Sequence, residues 1–279
     1  MKKWNLIIDV ARCMGCHDCV LACQDEYVGN QFPGYAAEMP KHGHRWIRIH
    51  RKERGQAPMV DIAYLPVMCN HCDRPACGKG ATGGAVRKRP DGIVIIDPEK
   101  AKGQREIVSA CPYGNVWWNE ERGLPQHWPF DAHLLDHGWT QTRGTQACPT
   151  GAMRTVKLEE SEMARLAEAE GLEVLHPEYG TKPRLYYKSL HRFTKCFLGG
   201  SLAAEANGVV DCVEGAQVTL FKDDTRIDEV RSDNYGDFKF DGLEENSARY
   251  GIEIHSRKHP VRTLECELTK SVYLGVIYL

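Results

Sequence analysis

Twelve cysteines are spread through 279 residues, and nine of them fall in an order that suits metal ligation. The run Cys13-x2-Cys16-x2-Cys19-x3-Cys23 has the spacing of iron–sulfur ligand loops. Two intervening residues let consecutive thiolates wrap one cubane while backbone amides turn toward its sulfides, and one remote cysteine closes the fourth iron. A second triplet, Cys69, Cys72 and Cys77, lies in Cys69-Asn-His-Cys72-Asp-Arg-Pro75-Ala-Cys77, and two remote cysteines each precede proline, Cys111-Pro112 and Cys148-Pro149. Two triplets and two closers supply the eight ligands that two 4Fe–4S clusters require, and spacing leaves open which closer serves which triplet. Structural zinc is the rival reading of Cys-x2-Cys pairs, but zinc usually takes two pairs rather than three local ligands and one remote one. His17 and His71 lie inside the runs and read as filler rather than as ligands. Cys196, Cys212 and Cys266 have no metal spacing and read as buried thiols.

Ligands so far apart must be gathered by the elements between them. Residues 5–10 read as a strand leading into Cys13, His44–Arg51 as a second and Ile93–Ile96 as a third. Glycine, proline and cysteine crowd the intervals, so a core built from apolar faces alone would be thin and the clusters have to support it. Leu158–Gly171 joins strong helix formers to early acidic residues and a terminal glycine, and predicts a helix. The segment 177–202 reads as an extended linker or strap carrying Tyr186, Tyr187 and Phe193. Beyond it, Val209-Val210, Val218–Phe221, Phe238–Phe240, Tyr250–Ile254, Leu264–Leu268 and Val272–Leu279 are short alternating runs separated by turn residues, as in a β-sandwich. Their pattern resembles transthyretin-like and carboxypeptidase-regulatory-like modules, a likeness of fold that says little of function. The expected class is therefore α+β: a ferredoxin-like double-cluster domain over 1–157, a helix and strap over 158–202, and an all-β sandwich over 203–279.

Composition excludes several functions. Lysine and arginine number 36 against 38 acidic residues, so the net charge of −2 provides no general field for nucleic acid or an anionic membrane. No apolar stretch approaches the roughly 18 residues of a membrane helix. Asn5 and Asp9 interrupt the first apolar run, which leaves no secretory signal and makes the cytoplasm the expected compartment, where clustered thiols are more often ligands than disulfides. No nucleophile stands with a base, and the glycines of 78–84 lack the strand–loop–helix setting of a phosphate loop. The basic residues His44, Arg45, Arg48, Arg51, Lys52 and Arg54 suit either an acidic partner face or solvent.

With these residues in view, the chain resembles the iron–sulfur subunits of molybdopterin oxidoreductases, whose fold contains two ferredoxin repeats. Gly43-His-Arg-Trp46, Asp91–Lys100, Cys111-Pro-Tyr-Gly114, Trp118-Asn-Glu-Glu121, Ala132–Asp136 and Thr181–Tyr187 are similar to the small subunits of pyrogallol–phloroglucinol transhydroxylases, with resorcinol hydroxylase small subunits the nearest alternative. The resemblance implies crossed ligation, Cys13, Cys16 and Cys19 with Cys148, and Cys69, Cys72 and Cys77 with Cys111. It implies that one cluster of the four-cluster relatives is missing, because Ala81, Ala101, Gln104 and Ile107 stand where they carry cysteines. A further site would join Cys23 to positions held here by Trp128, Asp131 and Gly144. Asp131, His127 or His133 would make an unusual ligand set, so two clusters are expected and Cys23 and Asp131 are doubtful third-site ligands.

The resemblance also implies a subunit without catalytic residues of its own. Its expected partner, in a heterodimer or a multiple of it, is a large catalytic chain carrying molybdenum or tungsten on a bis-pterin guanine dinucleotide, with polyhydroxylated phenols as substrates. Loss of the Cys23 cluster would break the middle of an electron wire. That favours transhydroxylation, which moves a hydroxyl between two phenols without net redox change, over a hydroxylase that exports electrons.

Overall fold

The computed structural model describes residues 1–246 and 249–279, in two compact units: 1–51 with 64–190, and 52–63 with 191–279. Among these residues no helix is long and apolar enough to cross a membrane.

The first unit is organised on one strand. Lys3–Asp9 (Lys-Trp-Asn-Leu-Ile-Ile-Asp) is buried through its interior rather than on alternate residues, as befits a central strand. Met153–Leu158 lies antiparallel on one side, Ile8 opposite Met153, and Leu185–Lys188 parallel on the other, Ile8 opposite Tyr187. The rest is short: helices Asp18–Tyr27, Glu106–Ser109, Ala132–Asp136 and Arg143–Ala147, and two-stranded pairs Val86–Lys88 with Val94–Ile96 and Trp117–Asn119 with Leu124–Gln126. The predicted helix runs over Glu160–Glu170 and stops at Gly171, whose φ of 61° is the left-handed conformation that ends helices.

The second unit has two four-stranded sheets. In one, Cys196–Ala206 pairs with Val209–Cys212, Asp237–Leu243 and Val272–Tyr278; the other orders Thr225–Arg231, Gln217–Lys222, Arg249–His255 and Arg262–Glu267. Leu198, Leu202, Phe238, Phe240 and Ile277 of the first share one core with Val218, Leu220, Tyr250, Ile252 and Ile254 of the second. Arg54 is 2% exposed and donates to both Asp61 and Asp241 within this unit.

Several expectations need adjusting. The basic strand runs over Arg48–Gln56, not His44–Arg51, and Arg54 is paired internally rather than offered to a partner. The strap 158–202 is no separate element. Its first part belongs to the first unit, where residues 185–188 join the central sheet, and its last part is the long strand Cys196–Ala206 of the second. Gly199-Gly200 disguised that strand, yet they serve it: Cβ atoms there would fall 2.4 Å from Met59 Sδ and 3.0 Å from the Phe238 ring. Thr225–Arg231 escaped notice because its side chains are mostly exposed and carry no alternation. Of the three cysteines expected to be buried, Cys196 is, Cys266 is half-buried and Cys212, on the short Val209–Cys212 strand, is exposed.

Candidate metal centre

The first cysteine group is built by the register of the central sheet. Asp9 ends the Lys3–Asp9 strand and donates its N–H to the Ala152 carbonyl at 2.8 Å, so Cys148, just before the antiparallel Met153–Leu158 strand, returns beside Cys13. Arg12 donates to the Thr150 carbonyl and fastens the two loops. His17, at φ 68°, turns the chain into the helix Asp18–Tyr27, which packs on Arg143–Ala147. Gly144 permits this approach, since a Cβ there would lie 3.3 Å from the Cβ of Cys19. Burial raises the Cys13 thiol, and Cys148 and Cys16 raise it further; Cys19 is pushed up to about 12 by burial and by Cys13, Cys16 and Cys148. Burial opposes ionisation of Cys148 too, but the Met153, Ala152 and Thr150 amides and the Thr150 hydroxyl outweigh it and lower this thiol. Four thiols thus stand close enough to repel one another as thiolates, among amides that stabilise the charged form.

The second group forms where the turn Ala76–Gly80 meets the helix Glu106–Ser109. Gly80 makes that meeting, because a Cβ would sit 2.5 Å from the Glu106 carbonyl oxygen. Cys77 and Cys111 are thereby brought together, and with Cys69 and Cys72 they line a small pocket walled by Val94, Ile96, Val116, Tyr113, His127 and Thr181. Burial pushes Cys69 well up, helped by Cys77, Cys72 and Cys111, against the His71 amide; Cys77 rises to about 12 by burial and by Cys111 and Cys72. Apolar residues fill the place of the cluster expected to be missing: Ala101 and Ile107 are buried with Ala85, Ile96 and Val116, Ala81 packs against them, and Gln104 hydrogen-bonds Thr82 and Lys100.

The loop bearing Cys69 and Cys72 is held by residues whose role the sequence reading missed. Thr181–Arg184 runs beside it: Asp73 N–H donates to the Lys182 carbonyl at 2.8 Å, Arg74 N–H to that of Thr181 at 2.9 Å, and Arg184 N–H to that of Asn70 at 2.8 Å. The Arg184 side chain, 1% exposed, donates to Asp73, to Glu160 at 2.6 Å and to Asn5 at 3.2 Å. Burial opposes the Asp73 charge, yet Arg184 and Lys88 hold its carboxyl well below the usual range. Tyr113 Oη and Thr181 Oγ1 are 2.6 Å apart, and the Thr181 hydroxyl favours the Cys72 thiolate, whose thiol burial otherwise raises. The only sequence signal was the Thr181–Tyr187 segment itself.

Around Cys23 the outcome is different. Burial drives this thiol far up, and Asp131 beside it adds to the effect. Asp131 Oδ1 accepts from Tyr27 Oη at 2.8 Å and from Trp128 Nε1 at 2.9 Å, and its Oδ2 from the Arg143 N–H at 2.8 Å. Three of the roughly four lone-pair sites of this carboxylate are thus already taken by protein donors. His133 is engaged too, with Nε2 2.8 Å from Glu26 and its ring stacked on Phe32 at 3.7 Å. His127 stands by Cys69 instead of Cys23, one nitrogen of its ring, one of His71 and Cys69 Sγ lying within 4.8 Å of one another.

This geometry agrees with the comparisons. The 4Fe-4S dicluster domain family matches residues 60–158. Over 283 aligned residues, covering the whole of both chains, this one is 41% identical to the pyrogallol hydroxytransferase small subunit of Pelobacter acidigallici. It is 30% identical to a tetrathionate reductase subunit of Salmonella typhimurium, covering 67% of this chain and 73% of that one. It is 34% identical to the dimethylsulfide dehydrogenase beta chain of Rhodovulum sulfidophilum, covering 67% and 77% respectively. Among solved structures, 5-hydroxyisourate hydrolase of Klebsiella pneumoniae covers 29% of this chain and 89% of its own at 13% identity, but a TM-score of 0.25 carries no argument. The chain belongs to the family of iron–sulfur beta subunits of molybdopterin oxidoreductases, as the pyrogallol hydroxytransferase small subunit does. Its role is that of an iron–sulfur electron-transfer subunit.

Proposed function

We propose that the chain holds two 4Fe–4S clusters, one on Cys13, Cys16, Cys19 and Cys148 and the other on Cys69, Cys72, Cys77 and Cys111, and serves a large catalytic subunit that transfers hydroxyl groups between polyhydroxylated phenols. The observation that carries the cluster reading is that four thiols of the second group frame one pocket, three from a single stretch of chain and Cys111 from a remote one. Structural zinc usually takes two Cys-x2-Cys pairs rather than three local thiols and one remote one. When bound, a cluster accepts or donates one electron and links loops that are remote in sequence. The protein's own part is to present thiols, direct the Thr150, Ala152, Met153 and His71 amides at them, and exclude water with Val94, Ile96 and Val116.

The substrate class rests on full-length similarity to the pyrogallol hydroxytransferase small subunit. The likeness to a small subunit supports a larger partner, and we infer a heterodimeric, cytoplasmic complex whose large chain carries molybdenum or tungsten on a bis-pterin guanine dinucleotide. Closure of the Cys23 region by Trp128, Asp131 and Tyr27 favours transhydroxylation over electron export, because no third cluster would bridge the two. We read the second unit as a transthyretin-like sandwich without a catalytic role. The test is anaerobic co-purification with the partner. About eight irons per small chain, with hydroxyl transfer between two phenols and no external acceptor, are expected. Zinc without acid-labile sulfide would overturn the cluster reading, and strict dependence on an electron acceptor would replace transhydroxylation by hydroxylation.

A further inference from the structure

His71 and His127 are 1% and 4% exposed, and their environment fixes which ring nitrogen carries the proton. The Val94 N–H donates to Nδ1 of His71 at 3.1 Å, and the Ile96 N–H to Nε2 of His127 at 3.3 Å. A ring nitrogen that receives an amide proton must offer a lone pair, so the imidazole protons reside on Nε2 of His71 and Nδ1 of His127. Those two nitrogens are buried without a hydrogen-bond partner among the described residues. The Trp128 carbonyl faces the His71 ring but closes no hydrogen bond. The rings stand 5.7 Å apart, in the group with Cys69 Sγ that spans no more than 4.8 Å.

Two chemistries suit such a trio. As metal ligands, both histidines would need lone pairs on the free nitrogens, which would move their protons to face the Val94 and Ile96 N–H groups, donor against donor. As donors they need no change. We propose that His71 and His127 are paired N–H donors to sulfur of the second cluster, the Cys69 thiolate or a sulfide beside it, and that they hold its reduction potential up. The proposal rests on the reading that Cys69, Cys72, Cys77 and Cys111 carry that cluster. Reduction adds one electron and so increases the negative charge on the sulfurs, which makes an N–H donor bind the reduced state more strongly than the oxidised one. The strand Val94–Ile96 then has two tasks: its side chains wall the pocket and its amides set both tautomers.

The test is a potentiometric titration of the anaerobic complex followed by electron paramagnetic resonance. His127→Leu is expected to shift the reduction equilibrium of one cluster about tenfold toward the oxidised form, 59 mV for a one-electron couple. The other cluster should not move. His127→Asn, which puts an amide N–H near the former Nδ1, and His71→Gln, which does so near Nε2, should restore most of the potential relative to the leucine variants. Unchanged potentials in His71→Leu and His127→Leu with full iron would overturn the proposal. If the leucine variants lose the cluster, unmodified complex made with 15N-histidine decides. Two weak nitrogen couplings to the reduced cluster support hydrogen bonding, whereas one strong coupling (ligation) or none at all refutes it. Absence of iron from the unmodified complex would instead defeat the underlying cluster assignment.

Discussion

Arg184 shows how much one buried side chain can hold. Its guanidinium satisfies Asp73, Glu160 and Asn5 from a position that is 1% exposed, and Asp73 directly follows Cys72 of the proposed second cluster site. Removing one partner of a buried ion pair leaves the other uncompensated, typically at a cost of about 3–5 kcal/mol. Arg184→Met should therefore lower stability by roughly 3 kcal/mol in denaturant titrations. It should also speed loss of iron from the second group to chelator while leaving the first unaffected. Asp131 illustrates the opposite use of a carboxylate: its three donors make it a packing acceptor beside the buried Cys23.

Elements act here through close approach and pairing. Gly80 lets the Ala76–Gly80 turn sit on the Glu106 carbonyl, and a methyl group 2.5 Å from that oxygen would separate Cys77 from Cys111. Gly80→Ala is expected to reduce iron from about eight to about four per chain and to erase one of two reduced-cluster signals. Within the second unit, Arg54 links the 52–63 segment to the strand Asp237–Leu243 through Asp241. Burial raises the Asp241 carboxyl, but Arg54 outweighs it and holds the group at about 2, below its ordinary 3.8. A depressed folded pKa stabilises above the unfolded value, and the contribution is lost as pH falls from about 4 through about 2. This pair should give about 2 kcal/mol of acid-dependent stability, and the slope should flatten in Arg54→Met when unfolding is measured across that window.

At the scale of the molecule, the two units are stabilised by different means. The second has one continuous apolar core between its sheets. The first is built of short helices, two-stranded pairs and loops around one three-stranded sheet, and its thiols need a positive centre before they can ionise together. Folding of such a region is linked to its metal. Stripping iron with a chelator under reducing conditions should make residues 1–51 and 64–190 susceptible to limited proteolysis and raise their amide exchange. Fragments from 191–279 should resist cleavage. Equal protection of both parts without iron would show that the clusters contribute no stability.

The sequence by itself determined the inventory of candidate ligands, the helix ending at Gly171 and most strands of the β-half, because each is written in local spacing or periodicity. Tertiary structure decided what spacing does not encode: that the sheet register returns Cys148 to Cys13, that Thr181–Arg184 runs beside the second loop, and that His127 faces Cys69. Those outcomes depend on pairings between residues about 60 to 140 positions apart, for which the chain carries no periodic signal. Cys196–Ala206 was hidden for a related reason: its glycines match the neighbours they pack against, and those neighbours are known only once the sheets form.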